Sequence, residues 1–261
     1  MLRDAYDPDR LDRRDPALIA ALLPALELVH RRYLRLEVDG IANIPAEPAL
    51  FVGNHNGGIA GPDLLCTLPV LWRALGDAPL YALTHDFAMT QLTVLGRLLQ
   101  RLGSIRASHD NAVRVLGSGG SVLVYPGGDL DAYRHFRRRN EVVILPRCGF
   151  VRVAQAAGAP IVPVVAEGAH RSACIFAEGK RIARFLHLQR WGRLQRFPLA
   201  LALPWGLAAG PWLPYLPLPS RIRLRVLPPM RARPGASPEA IAAEVQSAMQ
   251  RALTGLAGAC P

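Results

Sequence analysis

Apolar residues along this chain fall into short runs separated by turn residues, and the spacing within each run predicts its element. The first run, Ala17 to Val29, follows Asp15-Pro16, a cap and first-turn pair, and reads as a helix. At 13 residues, interrupted by Pro24 and Glu27, it is shorter than the ~20 residues of a membrane-spanning helix. It therefore either lies on a membrane surface or packs on the core. Leu34 to Val38 and Ala49 to Val52 read as strands, joined by an Asp39-Gly40 turn and a proline-containing loop. Pro62-Asp63 opens an apolar helix, proline being tolerated in a first turn, and Leu80 to Leu83 is another short strand.

The same reading continues downstream. Ala112, Val113, Val115 and Leu116 share a helical face, Gly117 ends that helix, and Ser121 to Tyr125 is a buried strand running into Pro126-Gly127-Gly128. Gly149 to Ala157 is a helix stopped by Gly158, and Ile161 to Val165 is a strand in which Pro163 marks an edge or an irregularity. Arg221 to Val226 alternates arginine with apolar residues, the pattern of a half-exposed strand. Ser237-Pro238-Glu239 then caps a helix that repeats Ile241, Val245, Met249 and Leu253 at every fourth position. This alternation predicts an α/β architecture with a mostly parallel central sheet flanked by helices. Residues 1–261 are expected to form one domain, residues 1–35 being a helical segment able to lie on a membrane.

The segment from Phe197 to Pro219 does not fit that alternation. It carries no charge over 23 residues, yet holds Pro198, Pro204, Pro211, Pro214, Pro217 and Pro219. Each proline removes a backbone donor that lipid cannot replace, which argues against a spanning helix. The expectation is an apolar, proline-stiffened loop that lines an acyl groove or dips into a membrane interface. Trp205, Trp212 and Tyr215 suit an interfacial position.

Composition narrows the surroundings more than the chemistry. Half the residues (51%) are hydrophobic and only 20% are charged, which argues against disorder. The net charge of +11 suits nucleic acid, anionic headgroups or acidic substrates, and the positive mean hydropathy favours lipid. Cys66, Cys148, Cys174 and Cys260 are too widely spaced for a disulfide framework or a zinc site, and the charged N-terminus does not read as a signal peptide. Arg137-Arg138-Arg139 and the basic stretch from Lys180 to Arg196 make a nucleic-acid-binding module the alternative outside enzymes. Anionic headgroups account for both the basic stretch and the uncharged run beside it, so no nucleic acid is expected as a partner.

The candidate chemistry centres on His55, placed at a strand end in a loop with Gly57, Gly58 and Gly61. Ligands bind at such strand ends in parallel α/β sheets, and glycines let backbone approach them closely. Asp63, in the first turn of the following helix, could fix the ring tautomer and leave the other nitrogen to take a proton from an alcohol. His85-Asp86 and His109-Asp110 have no coherent metal-ligand spacing. Gly117-Ser118-Gly119-Gly120-Ser121 lacks both the first glycine of a nucleophile elbow and the lysine of a phosphate-binding loop.

At this point the sequence resembles the lysophospholipid and glycerolipid acyltransferase superfamily, from near Leu36 to about Val226. Phe51-Val52-Gly53-Asn54-His55 looks like its first block, Leu102-Gly103-Ser104-Ile105 its second, Val124-Tyr125-Pro126-Gly127-Gly128-Asp129 its third and Ile161-Val162-Pro163-Val164 its fourth. Arg147-Cys148-Gly149-Phe150 is similar to the neutral-lipid branch. The resemblance implies transfer of a fatty acyl group from acyl-CoA or acyl carrier protein to a lipid hydroxyl, with His55 as general base, Asp63 as its partner and no cofactor. It implies substrate contacts at Asn54, Gly57, Gly58, Pro126, Gly127, Gly128, Asp129, Arg134, Arg147, Gly149 and Phe150, with Arg134 or Arg147 binding a donor phosphate.

Three departures bear on the substrate. The family usually separates its His and Asp by four residues, and here the separation is eight, which leaves Asp129 and Asp131 as alternative partners. The usual Pro-Glu-Gly-Thr-Arg of the third block has Gly127 in place of its Glu and no matching Arg. His109 lies near the place of the second block's phosphate-binding Arg. A neutral acylglycerol or other lipid alcohol is thus as well suited as a glycerol phosphate. A hydrolase using His55-activated water on a lipid ester is a further alternative. Localisation on the cytoplasmic side of a membrane is expected.

Overall fold

The computed structural model describes residues 6–58, 61–189, 194–210, 215–233 and 235–258. Its strands are β1 (Glu37–Asp39), β2 (Leu50–Gly53), β3 (Leu80–Thr84), β4 (Ser104–Arg106), β5 (Ser121–Val124), β6 (Ile161–Glu167), β7 (Cys174–Ala177), β8 (Leu199–Ala202), β9 (Gly206–Ala209) and β10 (Arg223–Val226). The described helices are α1 (Pro16–Arg32), α2 (Pro62–Leu75), α3 (Asp86–Thr90), α4 (Thr93–Arg101), α5 (His109–Gly117), α6 (Gly128–Ala132), α7 (Gly149–Ala157), α8 (Lys180–Phe185) and α9 (Pro238–Gly258).

Seven strands form the central sheet in the order β1-β10-β6-β2-β5-β3-β4, and every pairing but that of β10 with β6 is parallel. Strand alternation divides the core in two. Leu50, Val52, Val122 and Ile161 point to one face, where α5, α7 and α9 contribute Val115, Val151 and Val245. Phe51, Leu123, Val162 and Val164 point to the other, against Ile19 of α1 and Cys66, Leu71 and Trp72 of α2. Burial on both faces explains why β2, β5 and β6 read as nearly unbroken apolar runs.

Several sequence expectations take definite form. Asp15 caps α1 by accepting the Leu18 N–H at 2.9 Å, and α1 packs beside α2, with the His30 ring 2.9 Å from the Leu65 carbonyl. Leu28 and Val29 of α1 remain exposed. Pro163 does not sit at an edge, because β6 lies between β10 and β2; it marks an irregularity. The β10 pairing ends beside it and resumes at the Ile161–Met230 bridge one residue out of register. Its carbonyl accepts the Leu227 N–H at 2.8 Å, and its missing donor faces the gap in the ladder.

The expected apolar loop from Phe197 to Pro219 is corrected in part. Residues 199–202 and 206–209 form a hairpin that joins β7 in a separate antiparallel sheet, β7-β8-β9. Its strands are only four residues long and alanine-rich, so neither length nor β-branching revealed them. Trp212 lies outside the described residues. No helix among the described residues is long and apolar enough to cross a membrane.

Candidate active site

The parallel strands β2, β5 and β6 end side by side, and the segment following each contributes to one site. His55 follows β2, residues 125–134 follow β5, and His170 follows β6 on a short 3-10 turn. The His55 Nδ1 lies 2.9 Å from Asp63 Oδ2. Asp63 is wholly buried in the first turn of α2, while a quarter of the His55 side chain is exposed.

The eight-residue separation is bridged by a loop that doubles back. Gly57, Gly58 and Gly61 hold φ of +68°, +63° and +47°, a region open to glycine at little cost. A Gly61 N–H to Gly58 carbonyl bond of 3.2 Å closes the turn that returns the chain to Asp63. A Cβ on Gly58 would overlap the Tyr215 hydroxyl, so close approach as well as φ requires glycine there.

Each peptide group around His55 is fixed by a buried side chain. Asn54 exchanges hydrogen bonds with the backbone of Ala166, accepting at 2.8 Å and donating at 3.3 Å. The His55 N–H donates to Asp131 at 2.6 Å, and its carbonyl accepts from Arg134 at 2.8 Å. The Asn56 N–H donates to Asp63 at 3.1 Å. The Gly57 N–H donates to His170 Nδ1 at 3.2 Å, and its carbonyl accepts from Tyr215 at 2.9 Å. Such a loop cannot reorganise without breaking buried hydrogen bonds, which is how a protein preorganises a reactive group.

Arg134 is the hub of this arrangement. It is fully buried and pairs with the equally buried Asp131 at 2.8 Å. It also donates to the carbonyls of His55, Asp131, Arg138 and Arg139 and to the Asn56 side chain. All five of its N–H donors are thus engaged, and Arg134 has none left for a donor phosphate. Arg134 is therefore not placed as a substrate contact. Asn54 is buried, and its amide exchanges hydrogen bonds with the backbone of Ala166.

The open choice of carboxylate partner is resolved by position. Asp129 pairs with Arg147 at 3.0 Å and accepts the Gln195 N–H at 2.5 Å, while Asp131 holds the His55 backbone; Asp63 alone of the three bonds the ring. Arg147 also donates to the Gly127 carbonyl and is about one-third exposed. With Pro126, Gly149 and Phe150 it lines a largely apolar groove of about 380 Å³ between α5 and α7, into which His109 also opens. Of the glycine turns able to cradle an oxyanion, Gly57 and Gly128 already donate their N–H groups, to His170 and the Tyr125 carbonyl. Gly58 and Gly127 remain as candidates.

Electrostatics bear on which protonation states the site holds. Burial pulls the His55 pKa down, but the charge and hydrogen bond of Asp63, helped by Asp131, outweigh it and leave the pKa raised above 6.5. Burial and the nearby Arg134 guanidinium push His170 down to about 3, so its ring is neutral. That fits its bonds: Nδ1 accepts from Gly57, and Nε2 donates to the Arg134 carbonyl at 2.9 Å. Burial pushes the Asp131 carboxyl up, against the pull of Arg134 and two backbone N–H groups.

Tyr125, His170 and Tyr215 escaped the sequence reading as site residues. The Tyr125 ring lies 4.9 Å from that of His55, tilted by 34°, in space left by Gly53, whose Cβ would overlap it. The available signal for Tyr125 and His170 was position: each lies just beyond the end of a strand parallel to β2.

The site is thus a hydrogen-bonded histidine loop at the carboxyl edge of a mostly parallel sheet, the place where α/β folds bind ligands. Residues 35–167 match the model of the Acyltransferase family, and the chain belongs to that family. It is 31% identical over 212 residues to an uncharacterized protein of Mycobacterium tuberculosis, covering 80% of this chain and 56% of that protein. It is 30% identical over 206 residues to an uncharacterized protein of Mycobacterium leprae, covering 78% and 53%. The chain therefore spans about half the length of these curated relatives. Its fold is similar to the crystal structure of PlsC from Thermotoga maritima, a 1-acyl-sn-glycerophosphate acyltransferase, with a TM-score of 0.53 and 16% identity over 91% of this chain and 81% of that one.

Proposed function

We propose that this chain transfers a fatty acyl group from a thioester donor, acyl-CoA or acyl carrier protein, to a hydroxyl of a glycerolipid or lysophospholipid at an anionic membrane surface, without a cofactor. The observation that carries this reading is the His55–Asp63 pair of 2.9 Å in an immobilised loop. Asp63 accepts from Nδ1, which leaves Nε2 as the base. Nε2 takes the proton of the acceptor hydroxyl as its oxygen attacks the thioester carbonyl. The tetrahedral oxyanion is met by backbone N–H groups, with Gly58 and Gly127 as the candidates. On collapse the C–S bond breaks, and the thiolate recovers the proton from the imidazolium. An ester and a free thiol result, with no acyl-enzyme.

The apolar groove bounded by Phe150 and Arg147 is suited to the donor, an acyl chain lying along it and Arg147 at its rim facing a phosphate. The third block lacks its usual Glu and Arg, and the fully engaged Arg134 does not replace them. An uncharged lipid alcohol is therefore the favoured acceptor class, and the acceptor named for PlsC the rival. Product analysis tests this: labelled palmitoyl-CoA is incubated with the protein and monoacylglycerol, diacylglycerol, glycerol 3-phosphate or lysophosphatidate. Acylated lipid forming only with an acceptor, fastest with the neutral ones, is the expected result. Free fatty acid at the same rate with or without acceptor would make the protein a hydrolase.

A further inference from the structure

The small sheet β7-β8-β9 buries mostly alanines and exposes most of its large apolar residues. Ile175, Ala200, Ala202 and Ala208 point inward, against Ala132, Tyr133 and Tyr215 beside the catalytic loop. Phe176, Leu201 and Leu207 point outward with 42%, 51% and 60% of their surface exposed, and Leu201 and Leu207 are cross-strand partners. Trp205, at the turn between β8 and β9, is 52% exposed. A one-sided sheet normally shows water its polar face, so a bulky apolar outer face implies a partner.

The chain continues from β7 into α8, which carries both kinds of contact. Phe185 is 82% exposed and lies one helical turn from the exposed Arg181, and Ile182 is exposed as well. Lys180 and Arg184, one turn apart on α8, and His187 just beyond its end line a cleft of about 350 Å³ with Arg196. Lys180 and Arg196 share one acid, Glu178, at 3.2 Å each, so positive charge prevails there. A second copy of a chain with net charge +11 would set like charges together. An anionic bilayer accepts the apolar face and attracts its basic flank.

A rival surface exists on α4, where Leu92, Val94, Leu95 and Leu98 are exposed while Gly96 and Gln100 are buried. Its basic residues are already engaged: Arg97 lies over the Tyr6 ring and Arg101 pairs with Asp15 at 2.7 Å. The small sheet, by contrast, connects directly to the site, since Tyr215 packs on its inner face and donates to the Gly57 carbonyl.

We propose that the outer face of β7–β9, together with α8, docks the chain on an anionic bilayer and holds the His55 loop about one sheet thickness (~10 Å) from it. The proposal deepens the lipid-acyltransferase reading and rests on it for biological sense, but its test reads binding alone. Wild-type protein and His55→Ala are sedimented with vesicles of phosphatidylcholine, with and without phosphatidylglycerol. Binding of both proteins to the anionic vesicles is expected. The pairs Leu201→Ser/Leu207→Ser and Arg181→Glu/Arg184→Glu should each weaken it by about tenfold or more, and Val94→Ser/Leu98→Ser should leave it unchanged. Brominated lipid should quench a component of the fluorescence that Trp205→Phe removes, a reading that does not depend on how the serine variants fold. Docking by an inactive chain still supports the proposal. Wild-type protein that ignores anionic vesicles, release by the α4 pair alone, or a dimer split by the sheet pair with binding unaltered would each overturn it.

Discussion

Arg134→Ala is expected to destabilise the fold by about 3–5 kcal/mol, a large share of the ~5–15 kcal/mol that holds a typical domain together. The cost comes less from the attraction that is lost than from what is stranded. Asp131 is fully buried and, without its counterion, would either hold an unpaired charge or take up a proton, each at a cost to the fold. The carbonyls of His55, Arg138 and Arg139 would lose a donor with little water to replace it. Urea denaturation measures the loss directly. The informative comparison is a double-mutant cycle with Asp131→Asn, which removes the stranded charge and should recover part of the stability. Additive losses in the double variant would mean that the pair is not the coupled hub described above.

Asp63→Asn should lower kcat/KM by about 10³–10⁴ while leaving the fold largely intact, the scale seen when an amide replaces the acid of a catalytic histidine pair. The amide can donate to Nδ1 and so favour the tautomer that carries its proton on Nε2, which then cannot act as a base. The pH profile distinguishes this role from a merely structural one. The base must be neutral, so activity is present above the His55 pKa and lost as pH falls through it. Asp63 is the principal reason that this pKa is raised, against the opposing effect of burial. The acid limb of wild-type kcat/KM should therefore lie above 6.5, and in Asp63→Asn it should move downward. A limb that stays in place would show that Asp63 does not set the charge of the ring.

Much of this site could be anticipated from residue order, and the remainder depended on contacts that sequence spacing does not encode. His55 was legible because an apolar strand runs straight into a glycine loop, and Asp63 because Pro62-Asp63 opens a helix. The separation of eight departs from the four usual in the resembled family. Three glycines at positive φ shorten it to a hydrogen bond. Arg134 was misread because a solvated and a buried arginine look alike in sequence. Nothing local shows that its donors are taken by carbonyls at 55, 131, 138 and 139.

The fold was legible to a similar depth. The five longer strands of the central sheet, β2, β3, β5, β6 and β10, were readable because burial on both faces or regular alternation marks them. β4 has three residues, and α3 and α6 have five each, too few to establish a period. α4 was obscured for another reason: its apolar residues face outward, contrary to the assumption under which amphipathic patterns are read. The hairpin of β8 and β9 was hidden among prolines and alanines, and the same composition gives the small sheet its thin inner layer beside the His55 loop.

The central claim is that the His55 imidazole is the base that enables a lipid hydroxyl to take an acyl group from a thioester. The most direct measurement is the rate of labelled acyl transfer from palmitoyl-CoA to the best acceptor by wild-type protein and by His55→Ala, with circular dichroism establishing that both are folded. The account predicts transfer by the wild type and a loss of about 10²–10⁴ in the variant, the contribution typical of a positioned base. A folded His55→Ala that transfers at the wild-type rate would contradict it.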